Sequence, residues 1–92
     1  LQVLDISSEF RNAIKMRSDQ VGIYVESVTP GSQAEAAGFE MGMVLLEAEN
    51  EPLAETDVLR SVVLNAKLDE KQSITLNVRL KNGRETYMVL PF

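Results

Sequence analysis

The chain contains neither cysteine nor histidine. Without cysteine, disulfides and thiolate metal sites are impossible. Without histidine, the serine–histidine, cysteine–histidine and histidine–metal arrangements of many enzymes are missing as well. The net charge of −5 argues against binding to a phosphate backbone, which needs clustered lysine and arginine. No apolar run approaches the ~20 residues that cross a membrane. We therefore expect a chain that is not an enzyme, holds no metal or cofactor and does not bind nucleic acid.

The size and composition are those of one small globular domain over residues 1–92. Apolar residues make up 45% of the chain and charged residues 25%, which is an ordinary balance for a folded protein. Most carboxylates lie in polar stretches or beside lysine and arginine, and we interpret them as a solvated surface. Leu1 starts directly in an apolar, alternating segment. We therefore expect a domain cut from a longer protein.

Short segments rich in apolar or β-branched residues predict five or six strands. They lie at residues 1–6, 21–28, 43–48, around Leu53, at 72–80 and in the segment after Asn82-Gly83. Alternation is clearest in the fifth of them, where every second residue from Ile74 to Leu80 is apolar. Asn82-Gly83 is the strongest hairpin signal. Glu49-Asn50 predicts a second tight turn, because asparagine tolerates a left-handed backbone.

Helical spacing and capping residues predict two or three helices. Ser7 or Ser8 can cap the first helix, and Ser32 can cap a short second helix at residues 33–37 that ends at Gly38 with a positive φ. The longest helix begins around residues 55–57 and carries apolar residues on or near one face, namely Val58, Leu59, Val62, Val63 and Ala66. A polar connection is predicted at residues 17–20. The element order indicates an α+β fold, a small and partly open β-barrel capped by helices.

The centre of the chain carries an ordered pattern of glycines, prolines and apolar residues. It contains a glycine before an apolar strand, a proline turn, a serine before a short helix, an Ala-Gly stop, a second glycine before an apolar strand, and a final proline with an apolar residue. The residues that fit are Gly22, Val25, Val28, Pro30, Ser32, Ala34, Ala37, Gly38, Gly42, Val44, Leu45, Pro52 and Leu53. Together with the helix around residues 8–16 and the Asn82-Gly83 hairpin, this pattern resembles a PDZ domain of the bacterial HtrA-type serine proteases over nearly the whole chain. The departures are Gln33 for proline, Met43 for aspartate and Glu49-Asn50 for Asn-Gly, and they concern local turns.

The resemblance implies a peptide-binding groove between the first strand and the longest helix. The implied peptide-binding residues are Leu1, Gln2, Val3, Leu4, Asp5, Thr56, Leu59, Arg60 and Val63. Leu1 and Val3 would form the strand wall, and Arg60 would attract an acidic peptide or its carboxylate. The loop that grips the carboxylate would lie largely before Leu1. The residues alone leave simpler interpretations open: Leu59 and Val63 as core residues, Arg60 as a solvated helix residue, and Leu1 and Val3 as half-buried strand residues.

The resemblance also implies partners and a setting. The expected partners are peptides or protein C-termini with an apolar last residue, bound by strand addition. The domain would serve substrate recognition or regulation in an HtrA-like protease of protein quality control, in the bacterial periplasm or attached to a membrane on its extracytoplasmic side. The alternative is a non-catalytic scaffold domain in an extracytoplasmic assembly. We also expect self-association through the exposed first strand, with the C-terminal segment Met88 to Phe92 of a neighbour in the groove.

Overall fold

The computed structural model describes residues 1–17 and 19–92, and in this part of the chain it has an α+β fold with six strands and three helices. The elements are β1 (Gln2–Asp5), α1 (Ser8–Ala13), β2 (Ile23–Ser27), α2 (Gln33–Ala36), β3 (Val44–Ala48), β4 (Glu51–Pro52), α3 (Thr56–Leu68), β5 (Ser73–Arg79) and β6 (Glu85–Pro91). The predicted fold class is confirmed. Of the predicted polar connection at residues 17–20, Ser18 lies outside the described residues.

The strands form one antiparallel sheet with β1 at an edge. Their order is β1-β2-β3-β5-β6, and β4 pairs with β3 beside this path. An edge strand leaves a row of backbone N–H and C=O groups without a strand partner. The outer side of β1 could therefore accept a further strand, as could that of β6 at the opposite edge.

The main core lies between the sheet and the helices α2 and α3. In β5 the alternation predicted from the sequence is confirmed, since Ile74, Leu76 and Val78 are buried and Thr75 is exposed. The helix α3 buries one stripe at helical spacing, formed by Leu59, Val62 and Ala66. Phe39 in the loop after α2 completes this cluster at 1% exposure. The core thus fixes α3 against the sheet and sets the position of its outer face.

The helix α1 covers a smaller cluster on another part of the sheet. Met16, Val44 and Leu46 are buried there, and the rings of Phe10 and Tyr24 meet edge-to-face with centroids 4.9 Å apart. The side chain of Ser7 accepts a hydrogen bond from the Phe10 N–H at 3.1 Å. Of the two predicted caps, Ser7 is therefore the one that begins this helix.

The short helix α2 begins at the predicted Gln33 and ends at Ala36, one residue before the predicted end, with Ala37 as its C-cap. The Ser32 side chain accepts a hydrogen bond from the Glu35 N–H at 3.2 Å. Gly38 has φ +102°, which confirms the predicted positive φ. A left-handed residue at this point is the common way to end a helix, and glycine adopts it without steric cost.

Both predicted hairpin turns are present, but they differ in length. Glu49 and Asn50 have φ values of 49° and 69°, as in a two-residue type I′ turn between β3 and β4. At Asn82-Gly83 the Leu80 N–H donates to the Arg84 carbonyl at 2.7 Å, and the Gly83 N–H donates to the Leu80 carbonyl at 2.9 Å. This pattern, with φ +88° at Gly83, makes a loop in which glycine is the last residue rather than a two-residue turn.

Candidate functional site

A groove of about 500 Å³ lies between the edge strand β1 and the helix α3. It is lined by Leu1, Gln2, Val3, Glu26, Thr56, Leu59, Arg60, Val63 and Leu90. The structure therefore brings together all of the predicted site residues except Leu4 and Asp5.

The strand wall follows from the alternation of side chains along β1. Leu1 and Val3 are half-buried and pack against the main core, while Gln2 is exposed. The Gln2 Oε1 atom accepts a hydrogen bond from the Ser27 Oγ–H group at 3.3 Å, which holds Gln2 at the rim. Successive residues of a strand point to opposite faces. Leu1 and Val3 therefore present apolar surface to the groove and at the same time close the core beneath it.

The helix wall is one stripe on α3. Leu59 and Arg60 each lie three or four residues from both Thr56 and Val63, so the four residues follow one side of the helix. Leu59 is only 8% exposed and belongs to the core, and Val63 is half-buried against that core. The two interpretations offered by the sequence, core or groove, thus both hold for Leu59 and Val63.

Two of the predicted site residues have a different position. Leu4 is 47% exposed and does not line the groove, because alternation turns it away from Leu1 and Val3. The Asp5 Oδ1 atom accepts a hydrogen bond from the backbone N–H of Thr56 at 2.8 Å. Asp5 is thus a cap on the first turn of α3 rather than a lining residue. It links the two walls of the groove, since β1 carries Asp5 and α3 begins at Thr56.

Arg60 lines the groove but is already paired. Its Nη1 atom lies 2.6 Å from the Asp57 Oδ1 atom, one helical turn away on α3. Both side chains are largely exposed, at 78% and 74%, so the pair contributes little to stability. Asp57 nevertheless compensates the charge of Arg60 at its position. The predicted attraction of Arg60 for an acidic ligand is weakened to that extent.

Sequence reasoning missed two lining residues, Glu26 and Leu90. The register between β1 and β2 pairs Gln2 with Ser27 and Val3 with Val25, so Glu26 is the extra residue of a β-bulge. No local signal announces this bulge, because it depends on how two strands align. Leu90 lies on β6 two residues after Met88, so both side chains are on the same face of the strand, and both are half-buried. The alternation of the returning strand is the signal that could have identified Leu90.

The C-terminal residues are part of the domain itself. β6 pairs with β5 from Glu85 to Pro91. The Phe92 N–H donates to the Gln72 carbonyl at 3.0 Å, and the Lys67 Nζ atom lies 5.4 Å from the centroid of the Phe92 ring. This arrangement disfavours Met88–Phe92 as the segment that fills a neighbour's groove, because it would first have to leave β5. Self-association through β1 stays a prediction.

Within residues 1–17 and 19–92, no group of three or more acidic side chains is placed to hold a metal ion. In the same residues, none of the helices combines the length and the apolar character that crossing a membrane requires.

Comparison with known proteins identifies the fold. The chain superposes with a TM-score of 0.79 on a crystal structure of the HtrA3 PDZ domain bound to a phage-derived ligand of sequence FGRWV, at 22% sequence identity, covering 99% of this chain and 79% of that one. It is 31% identical over 70 residues to serine protease HTRA3 of Mus musculus and 30% identical over 70 residues to that of Rattus norvegicus. Each alignment covers 76% of this chain but only 14% of the relative. No protein-family model matches the chain.

These comparisons confirm the PDZ fold and the similarity to an HtrA-type protease. The structural match is to a PDZ domain, and at 22% sequence identity it shows the fold of this chain. The relatives are mammalian, so the bacterial origin stays a prediction.

Proposed function

We propose that this chain, a PDZ-fold domain related in sequence to serine protease HTRA3, is a peptide-binding module that captures protein C-termini in the groove between β1 and α3. The observation that carries the proposal is the position of the groove. An apolar trough lies directly beside β1, an edge strand whose outer side has no strand partner among the described residues. A peptide could therefore pair its backbone with β1 and bury its side chains against α3 at the same time.

The binding mode is strand addition. An extended peptide lies antiparallel to β1 and forms backbone hydrogen bonds with it, which supply affinity without regard to sequence. Every second side chain of the peptide then points into the trough, where Leu1, Leu59, Val63 and Leu90 offer apolar surface. An apolar last residue fits this surface best. The ligand of the HtrA3 PDZ domain, FGRWV, ends in such a residue, and this supports the same preference here.

The role of the domain in a longer protein is proposed from the sequence similarity to serine protease HTRA3. The domain would recognise substrates or regulate activity beside a serine protease domain, on an extracytoplasmic side of the cell. Because the alignment spans 14% of the mouse protein, the test of this role is the parent chain. A protease domain with a complete Ser-His-Asp triad supports it. A parent chain without such a triad favours the scaffold alternative.

The binding mode can be tested with a fluorescent peptide that ends in valine and has a free carboxylate. We expect a Kd on the order of micromolar, since one short strand buries little area. The same peptide with an amidated C-terminus should bind at least about tenfold more weakly, which corresponds to losing ~1.4 kcal/mol.

The chain offers a matched pair of variants for locating the site. Val63→Lys places a charge in the groove, whereas Leu64→Lys makes the same kind of change at the next position of α3, where the side chain is 57% exposed and does not line the groove. We expect Val63→Lys to reduce affinity by about tenfold or more and Leu64→Lys by less than about twofold, given that a desolvated charge is costly only in the apolar site. Circular dichroism checks that both variants fold. Equal losses in the two variants contradict the proposed site, and equal binding of the acid and the amide contradicts recognition of the carboxylate.

A further inference from the structure

Glu26 reaches the groove because of an irregularity in the sheet. It belongs to β2, which lies behind β1 as seen from the groove, and a regular ladder would hold every residue of β2 opposite a residue of β1. The register instead skips Glu26 between the pairs Gln2–Ser27 and Val3–Val25. A bulge bends the strand and re-aims a side chain. Glu26 consequently lines the groove together with residues of β1 and α3.

The charges at the groove are unequally compensated. Arg60 is ion-paired to Asp57 at 2.6 Å. Asp5 lies at the end of β1, where it accepts a hydrogen bond from the Thr56 N–H. Among the described residues, no lysine or arginine nitrogen lies within 4.0 Å of Glu26, and no hydrogen bond of its side chain is formed. Glu26 is thus the lining residue whose charge has no local counterpart.

We propose that the groove selects peptides that carry a lysine or arginine near their apolar C-terminal residue, and that Glu26 is the residue that determines this preference. The inference rests on the proposed function, since it concerns the ligand of the same groove. A peptide added to β1 brings its side chains past the bulge, and a cation there meets the uncompensated carboxylate. A glutamate or aspartate at the same position meets repulsion. The overall charge of −5 acts in the same direction, because it attracts cationic peptides at long range.

The expected size of the preference follows from the exposure of Glu26. Ion pairs between exposed groups are weak and correspond to about a two- to fivefold change in an equilibrium constant. They are also screened by salt, whose Debye length falls from about 10 Å at 0.1 M to about 3 Å at 1 M. The preference should therefore be modest at low ionic strength and nearly absent at 1 M salt. The contribution of the apolar last residue should remain at both salt concentrations.

The experiment uses three sets of peptides that end in valine. Lysine, glutamine or glutamate is placed in turn at each of the positions that precede the last residue, and Kd is measured at low and high salt. The variants are Glu26→Gln and the control Glu40→Gln. Both substitutions remove one negative charge and so change the net charge equally. Glu40 is the control because it is exposed, lies in the loop before β3 and does not line the groove. The third variant is Arg60→Gln. It removes the positive charge that lines the groove and leaves the Asp57 carboxylate without its ion-pair partner.

At one position, we expect the lysine peptide to bind about two- to fivefold more tightly than the glutamine peptide. This preference should vanish in Glu26→Gln and persist in Glu40→Gln. In Arg60→Gln the preference should increase. If the wild-type chain binds the three sets equally, or if Glu26→Gln keeps the full preference, the inference is overturned while the proposed function stands. If no peptide of any set binds, the proposed function and the inference fall together.

Discussion

Replacing Asp5 by alanine should destabilise the domain and weaken ligand binding at the same time. The side chain of Asp5 accepts a hydrogen bond from the Thr56 N–H at 2.8 Å. Thr56 is the first residue of α3, and the residue before it, Glu55, forms no capping hydrogen bond with its side chain. The cap of this helix is therefore supplied by a residue far away in the sequence. The same hydrogen bond connects the two walls of the groove.

The magnitude follows from the loss of a cap and of a favourable charge. Removing a capping side chain costs about 0.5–2 kcal/mol of stability. A carboxylate at the positive end of a helix contributes about 0.3–1 kcal/mol more when it is exposed, as Asp5 is. We therefore expect Asp5→Ala to lower the free energy of unfolding by roughly 1–3 kcal/mol. In a domain of this size that lowers Tm by roughly 4–24 °C.

The informative control is Asp5→Asn, which keeps an acceptor oxygen but removes the charge. Its loss should be limited to the charge contribution of about 0.3–1 kcal/mol, and that loss should shrink in high salt. Urea unfolding measures stability for both variants, and titration with the valine-ending peptide measures affinity. Asp5→Ala should bind the peptide more weakly, because β1 is no longer tied to α3. The reasoning is refuted if Asp5→Ala unfolds at the wild-type urea midpoint, or if it loses stability without any change in Kd.

Three further substitutions test the backbone and the core by urea unfolding. Gly38→Ala should cost about 1–2 kcal/mol because Gly38 has a φ of +102°. Lack of space is not the cause, since the nearest atom to an added Cβ is 3.5 Å away. An unchanged midpoint would show that this residue changes conformation freely. Gly22→Ala should cost about 1–3 kcal/mol for the opposite reason: its φ is not positive, but its Cβ would lie 2.6 Å from the Val44 Cγ1 atom. Because Val44 is itself buried, the double variant with Val44→Ala should lose less stability than the sum of the two single losses. Leu76→Ala should cost about 2–5 kcal/mol because Leu76 is fully buried, whereas Thr75→Ala on the exposed face of the same strand should remain within about 0.5 kcal/mol.

Features that depend on neighbouring residues could be predicted from the sequence. The capping of α2 by Ser32, its end at Gly38 and the alternation of β5 all follow from local chemistry, and the structure has each of them. The two walls of the groove also followed, because the resemblance assigned them to β1 and α3. In the three local features the pattern in the chain and the contact in the fold involve the same few residues, whereas the walls, which are distant in sequence, came from the resemblance alone.

Features that depend on the alignment of distant segments could not be predicted in this way. Asp5 was expected to contact a peptide, yet its partner is an N–H group 51 positions later in the chain. Glu26 gained its place in the groove from a skipped pair in the β1–β2 register. At Asn82-Gly83 the hairpin was located correctly, but the Leu80–Arg84 hydrogen bond sets a longer loop than the dipeptide suggests. Registers and tertiary caps become visible only when the strands and helices are in place.

The position of β1 at the edge of the sheet links affinity to local motion. This strand is four residues long and is paired on one side only, so its backbone should open more often than that of the central strand β3. A peptide can add to β1 only while β1 is paired with β2, which is here called the closed state. The measured Kd is then the intrinsic Kd divided by the closed fraction. Any change that holds β1 closed would tighten binding without touching the ligand, and amide hydrogen exchange of β1 in the free and bound chain would measure that fraction directly.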